Sequence, residues 1–107
     1  MNDNNKNTRS PEEHEAVEKA LSVTRADIAE YFTSFEKQHG DMLCPLCKTS
    51  LWAITPRIDS DEHAAIITLP LPNASGRGVW AYPIICSGCG YIIHLSASFV
   101  VGKIKGE

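Results

Sequence analysis

The sequence predicts an α+β protein, with helices in the first 40 residues and an antiparallel sheet in the remainder. Three observations predict it. Apolar side chains recur at helical spacing between Val17 and Phe35, behind two helix-start signals. After Ser50 the pattern changes to short β-branched and aromatic runs separated by turn residues. All four cysteines form two CxxC pairs, Cys44-Pro45-Leu46-Cys47 and Cys86-Ser87-Gly88-Cys89, one on each side of the main strand-like region.

Residues 1–9, MNDNNKNTR, carry almost no apolar side chain and read as a disordered leader. Ser10-Pro11-Glu12-Glu13 has the form of a capping box with Pro at the first helical position. A helix is expected over 11–21, with Val17, Ala20 and Leu21 on one side. Thr24-Arg25-Ala26-Asp27 is a second start, in which Thr24 caps and Asp27 favours the positive helix end. Ile28, Tyr31, Phe32 and Phe35 follow at helical spacing, Lys37 and His39 suit the last turn, and Gly40 closes the helix. This gives a helical segment over 10–40 and a sheet domain over 41–107. The Ile28/Phe32/Phe35 stripe reads as the face that docks this helix, or alternatively as a partner or homodimer face. Glu12, Glu13, Glu15 and Glu18 read as a solvated helix surface, with docking to a basic partner as the alternative.

Four strands are expected next. They are 51–55, 64–69, 78–85 leading into the second cysteine pair, and 91–101, which is rich in β-branched and aromatic residues. Asp59-Ser60-Asp61-Glu62 reads as a polar turn and 70–78 as a loop or wide hairpin turn. Pro83 lacks a ladder donor and is placed at an edge or a bulge.

The CxxC pairs supply one tetrahedral set of thiolates, the donor set of a closed structural zinc site. Pro45 presets one knuckle turn, and Gly88 and Gly90 permit left-handed backbone in the other. Lys48 stands where Gly90 stands, so the first turn is either strained or closed differently. The expected cofactor is one structural Zn²⁺ held by Cys44, Cys47, Cys86 and Cys89, with iron as its rival on the same ligand set. Residues 1–25 show no signal-peptide apolar region, so a cytoplasmic setting is expected rather than two disulfides. A 38-residue segment separates the pairs and must be structured in its own right, so the C-terminal half is expected to collapse without metal.

The formal net charge is −3, and four thiolates with Zn²⁺ add −4 + 2 = −2, giving −5. Residues 44–107 carry four acids and five bases and offer no basic stripe for phosphate. No apolar run reaches transmembrane length. His94 follows Cys89 by five residues, but four thiolates already saturate zinc, so it reads as a strand residue. His14, His39 and His63 lack partners at ligand spacing. Asp59, Asp61 and Glu62 beside His63 offer no environments that separate their pKa values for acid–base work. Ser75-Gly76-Arg77-Gly78 lacks the ending of a phosphate loop. No catalytic residue and no enzyme activity are expected.

The C-terminal half resembles zinc-ribbon proteins, in which two cysteine knuckles at hairpin tips clamp an antiparallel sheet. It looks most like small uncharacterised bacterial and phage zinc-ribbon proteins: a short helix (Tyr31 to His39), a CPxC knuckle (Cys44 to Cys47), Trp52, and an ending from Ile85 through Cys86, Cys89, Gly90, Tyr91 and Ile92 to His94. The similarity spans 25–102 and implies a zinc-ribbon-like sheet with one or two helices packed on it and four metal ligands, but no activity.

The expected function is a non-enzymatic interaction module that binds a protein partner, with zinc structural. An inhibitor of a host complex encoded by a phage or mobile element fits the size and acidity. A nucleic-acid-binding ribbon using Trp52, Trp80, Tyr82 and Tyr91 with Lys48, Arg57, Arg77, Lys103 and Lys105 is the alternative. A rubredoxin-like electron carrier is the third reading.

Overall fold

Residues 11–73 and 78–105 of the chain are described by a computed structural model, the side chains of 12 and 13 excepted. The expected leader, the Ser10 cap and residues 74–77 lie outside the described residues.

Helix α1 spans Pro11–Ser22 and α2 spans Arg25–His39. The second start signal acts as read: the Thr24 side chain accepts from the Asp27 N–H, and the Asp27 carboxylate accepts from the Thr24 N–H. Gly40, at φ 89°, ends α2 and donates to the Glu36 carbonyl at 2.8 Å.

Six strands follow: β1 (Trp52–Ile54), β2 (Pro56–Arg57), β3 (Ser60–Ala64), β4 (Ile67–Pro70), β5 (Gly78–Cys86) and β6 (Ile92–Ser96). They are succeeded by helix α3 (Ala97–Lys105). The main sheet is antiparallel and centred on β5. β6 pairs along one side of β5, while β4 and β1 share the other, β4 against 78–81 and β1 against 84–86. β2 and β3 form a separate hairpin. The α+β expectation holds, with helices packed on antiparallel sheets.

Three expected elements differ. The expected polar turn at 59–62 holds only Asp59 of the β2–β3 hairpin tip and continues as the first residues of β3, and the expected 64–69 strand splits at Ala65. The split has a tertiary cause. Ala64 donates to the Val23 carbonyl at 3.2 Å and is buried against the α1–α2 junction, and beyond it the chain leaves the hairpin to join β5. The fourth strand ends at Ser96 rather than at Val101. Ser96 Oγ accepts from the Phe99 N–H, and Ala97, Val100 and Val101 are buried while Ile104 packs beside them. Burial at i, i+3, i+4 and i+7 is a helical face, and it overrides the β-propensity of the two valines.

Pro83 lies in the central strand, at neither an edge nor a bulge. Backbone groups alternate direction along a strand. Cys86 donates toward β6 and Ser87 toward Leu51 beside β1, so Pro83 directs its missing donor to the β1/β4 side. There it falls in the gap between the stretches covered by β4 and β1.

The core gathers Ala20 and Ile28 from the helices, Val23 from the junction between them, Ala64 from the hairpin, Tyr82 and Ile84 from β5, and Ala97, Val100 and Val101 from α3. Each buried valine or isoleucine contributes roughly 2 kcal/mol. Ile28 is fully buried, and Tyr31 and Phe32 pack against this core, so most of the aromatic stripe docks α2 inside its own chain. Arg25 and Arg57 fasten the helix junction to the hairpin: Arg25 donates to the Ile54 and Asp61 carbonyls, and Arg57 donates to the Leu21 carbonyl.

Candidate metal centre

The two CxxC turns are built alike. In the first, the Lys48 N–H donates to the Cys44 carbonyl at 2.9 Å, and the Cys44 N–H to the Thr49 carbonyl at 2.8 Å. In the second, the Gly90 N–H donates to the Cys86 carbonyl at 2.8 Å, and the Cys86 N–H to the Tyr91 carbonyl at 2.7 Å. Leu46 and Gly88 donate their N–H groups to the Cys44 and Cys86 sulfurs at 3.4 and 3.3 Å. Such donors spread thiolate charge.

The turn closes the same way with either residue at the fifth position. Lys48 takes φ 69° where Gly90 takes φ 86°, and Lys48 is the one non-glycine residue with positive φ among the described residues. The first knuckle therefore carries the backbone strain instead of changing its geometry. Gly88 has a different task from the one expected. Its φ is not positive; it is required because an added Cβ would meet Thr49 Oγ1 at 2.9 Å and Cys47 Sγ at 3.1 Å.

Strand pairing brings the knuckles together. Trp52 lies opposite Cys86, and the Ser87 N–H donates to the Leu51 carbonyl at 2.8 Å. Trp52 Nε1 donates to the Met42 carbonyl at 2.7 Å and fixes the approach to the first knuckle. The four sulfurs lie within 4.8 Å of one another, with Cys44 and Cys89 at 3.6 Å and Cys47 and Cys86 at 3.5 Å. Cys44 and Cys86 are buried, Cys47 is half-buried and Cys89 faces solvent. Four thiols at this spacing could hold one metal ion, consistent with a zinc-ribbon-like site.

Sequence reasoning missed Thr49. Its hydroxyl lies 3.2 Å from the Cys47 sulfur and 3.4 Å from the Cys86 sulfur, spanning the two knuckles. The hydroxyl, followed by backbone N–H groups, lowers the Cys86 thiol to about 6 against the opposing effect of desolvation. The Thr49 hydroxyl and then its N–H also lower Cys47. The Tyr91 N–H pulls Cys89 down, but desolvation and the three neighbouring thiols outweigh it and push Cys89 up to about 12.

Comparison with protein-family models, curated proteins and solved structures found no match to this chain.

The other candidates lie apart from this cluster. His94 is exposed on β6 opposite Pro83, and His63 Nδ1 sits 2.8 Å from Ser60 Oγ in the hairpin. His39 stacks on Phe35 with ring centroids 4.4 Å apart, and His14 is exposed on α1. Glu15 and Glu18 are exposed, with Glu15 pairing Lys19 at 3.7 Å. Asp59 pairs Arg57 at 3.0 Å, while Asp61 and Glu62 are exposed. Among the expected stacking aromatics, Trp52, Trp80 and Tyr82 belong to or pack on the core, and Tyr91 is exposed. No helix among the described residues is long and apolar enough to cross a membrane.

Proposed function

We propose that the chain is a zinc-clamped interaction module that docks a protein partner at its knuckle end. The observation that carries this reading is the pairing of a four-thiol cluster with uncovered leucines around it. Zn²⁺ bound to all four cysteines has a closed tetrahedral shell, so it supplies structural cross-linking. Leu43 precedes the first ligand, Leu46 lies between Cys44 and Cys47, and Leu51 is hydrogen-bonded to the second knuckle. These three are 55%, 69% and 64% exposed. Leucines held outward on a rigid turn are the apolar centre that a protein interface needs. Trp52, Trp80 and Tyr82 are engaged with the core, which supports protein docking over base stacking.

The test is capture of a partner by the metal-loaded full chain from cells that express it. Wild type and Leu71→Asp, altered on the loop after β4, should retain one common partner, and Leu46→Asp should lose it at unchanged metal content. Equal capture by Leu46→Asp would overturn the reading. Metal analysis of the same sample should return one zinc per chain, whereas a red, reducible protein would indicate iron.

A further inference from the structure

The four sulfurs do not share one environment, and the geometry points to Cys89 as a peroxide-reactive thiolate whose oxidation exchanges the metal for a disulfide between the two knuckles. Cys44 and Cys86 are buried and Cys47 is half-buried, whereas Cys89 faces solvent. The residues around it in the chain, Ser87, Gly88, Gly90 and Tyr91, are exposed as well. A small, uncharged oxidant such as hydrogen peroxide therefore reaches Cys89 first. Cys47 and Cys86 are also quietened by donors. The Thr49 hydroxyl contacts both sulfurs, and the Gly88 N–H points at Cys86. Hydrogen bonds that draw charge from a thiolate make it a poorer nucleophile.

The partner of Cys89 follows from distance. Its sulfur lies 3.6 Å from that of Cys44 in the opposite knuckle, and Cys47 and Cys86 form a second cross-knuckle contact at 3.5 Å. Closing the first contact to a disulfide asks the two sulfurs to approach by about 1.5 Å. The backbone holds them in place for it. Trp52 pairs with Cys86 and the Ser87 N–H donates to the Leu51 carbonyl, so the second knuckle stays beside the first without the ion's bonds.

The chemistry balances with hydrogen peroxide as the co-reactant. The Cys89 thiolate attacks one peroxide oxygen; an S–O bond forms, the O–O bond breaks and hydroxide leaves, giving Cys89 sulfenic acid. The Cys44 thiolate then attacks the Cys89 sulfur; the S–S bond forms, the S–O bond breaks and a second hydroxide leaves. The two thiolates give up two electrons, and the peroxide that takes them ends as hydroxide, which solvent protonates to water. Cys47 and Cys86 alone no longer close a tetrahedral shell around the ion, and a second peroxide joins them in the same way. A Cys44–Cys89 bond spans the same segment, 48–85, that the metal closes, so the oxidised chain keeps its clamp. Disulfides inside each CxxC pair would release it. This inference rests on the zinc occupancy within the proposed function and not on what docks at the knuckle leucines.

The test titrates the zinc-loaded full chain, its metal content measured beforehand, with hydrogen peroxide beside a chromophoric zinc indicator. Zinc should be released as thiols are consumed, with about two thiols lost per zinc at the outset. Peptide mapping of the first product should return a Cys44–Cys89 disulfide. The fully oxidised, zinc-free chain should melt well above the chelated, reduced chain, and a thiol reductant with added zinc should restore the starting form. Zinc retained under excess peroxide, a first disulfide inside either CxxC pair, or an oxidised chain that melts with the chelated one would each overturn the inference and leave the metal site standing. A full chain that takes up no zinc would overturn the metal reading and this inference with it.

Discussion

The Tyr82 hydroxyl donates to the Ala20 carbonyl at 2.7 Å, a buried bond between the central strand and the last turns of α1. It links residues 62 positions apart and ties the helices to the strand that ends in Cys86. Both the metal site and the helical core thus hang on one strand.

Tyr82→Phe should cost about 1–2 kcal/mol in denaturant unfolding, because it removes the short bond to a buried carbonyl and leaves it the longer one from the Val23 N–H at 3.5 Å. Desolvation, with a smaller contribution from the Asp27 carboxylate, raises the Tyr82 phenol to about 12 from 10. Between these values the folded chain keeps a proton that the unfolded chain releases, so stability falls as pH rises. The contribution is fully present below pH 10, and roughly 3 kcal/mol is lost on passing through pH 12. Tyr82→Phe should lack this alkaline loss; an identical alkaline profile in both proteins would refute the assignment.

The parts of the fold legible in the sequence are those fixed by neighbours along the chain. The Thr24/Asp27 cap, the Gly40 stop and the CxxC turns each depend on residues within a few positions, and each forms as read except at Gly88, which keeps a negative φ. Thr49 was not legible, because its meaning comes from Cys86, 37 positions away. The helix after Ser96 was hidden differently. Ala97, Val100, Val101 and Ile104 do carry helical spacing, but the β-branched pair continues a strand-like run, and only packing against α1, α2 and β5 decides between the two. Pro83 shows the same limit, since the gap that tolerates it is made by two other strands.

Lys48→Gly should stabilise the metal-loaded chain by about 1 kcal/mol, because it relieves a Cβ held at positive φ. Gly90→Ala should destabilise by a similar amount, since the second knuckle has the same hydrogen bonds and open space around the residue. Thermal melts of the two variants test this. Opposite signs are expected, and equal effects would mean that φ is not the cause.

Thr49→Val should weaken metal binding by about 10- to 100-fold, the usual loss when a ligand's supporting donor is removed. Once a metal is bound the thiolates can only accept, so the Thr49 hydroxyl must be the donor between Cys47 and Cys86. Thr49→Ser keeps that donor and should retain most of the affinity. Competition with a chromophoric chelator measures both, and a Val variant that binds like wild type would remove the role.

Metal removal should destabilise the whole chain rather than the knuckles alone. The ion closes a loop whose 38 intervening residues, 48–85, include β1 to β4 and most of β5. Closing a loop of this length is worth roughly 3 kcal/mol of chain entropy, before any strength of the metal–sulfur bonds is counted. The loss is transmitted through β5, because Cys86 lies two residues from the buried Ile84 and four from Tyr82, whose hydroxyl holds α1. Chelation, or Cys86→Ser, should therefore lower the melting temperature recorded from helical circular dichroism and from tryptophan fluorescence together. Restoring zinc should recover the chelated wild type but not Cys86→Ser. A helical signal that melts at the same temperature with and without metal would show that the clamp and the core fold independently.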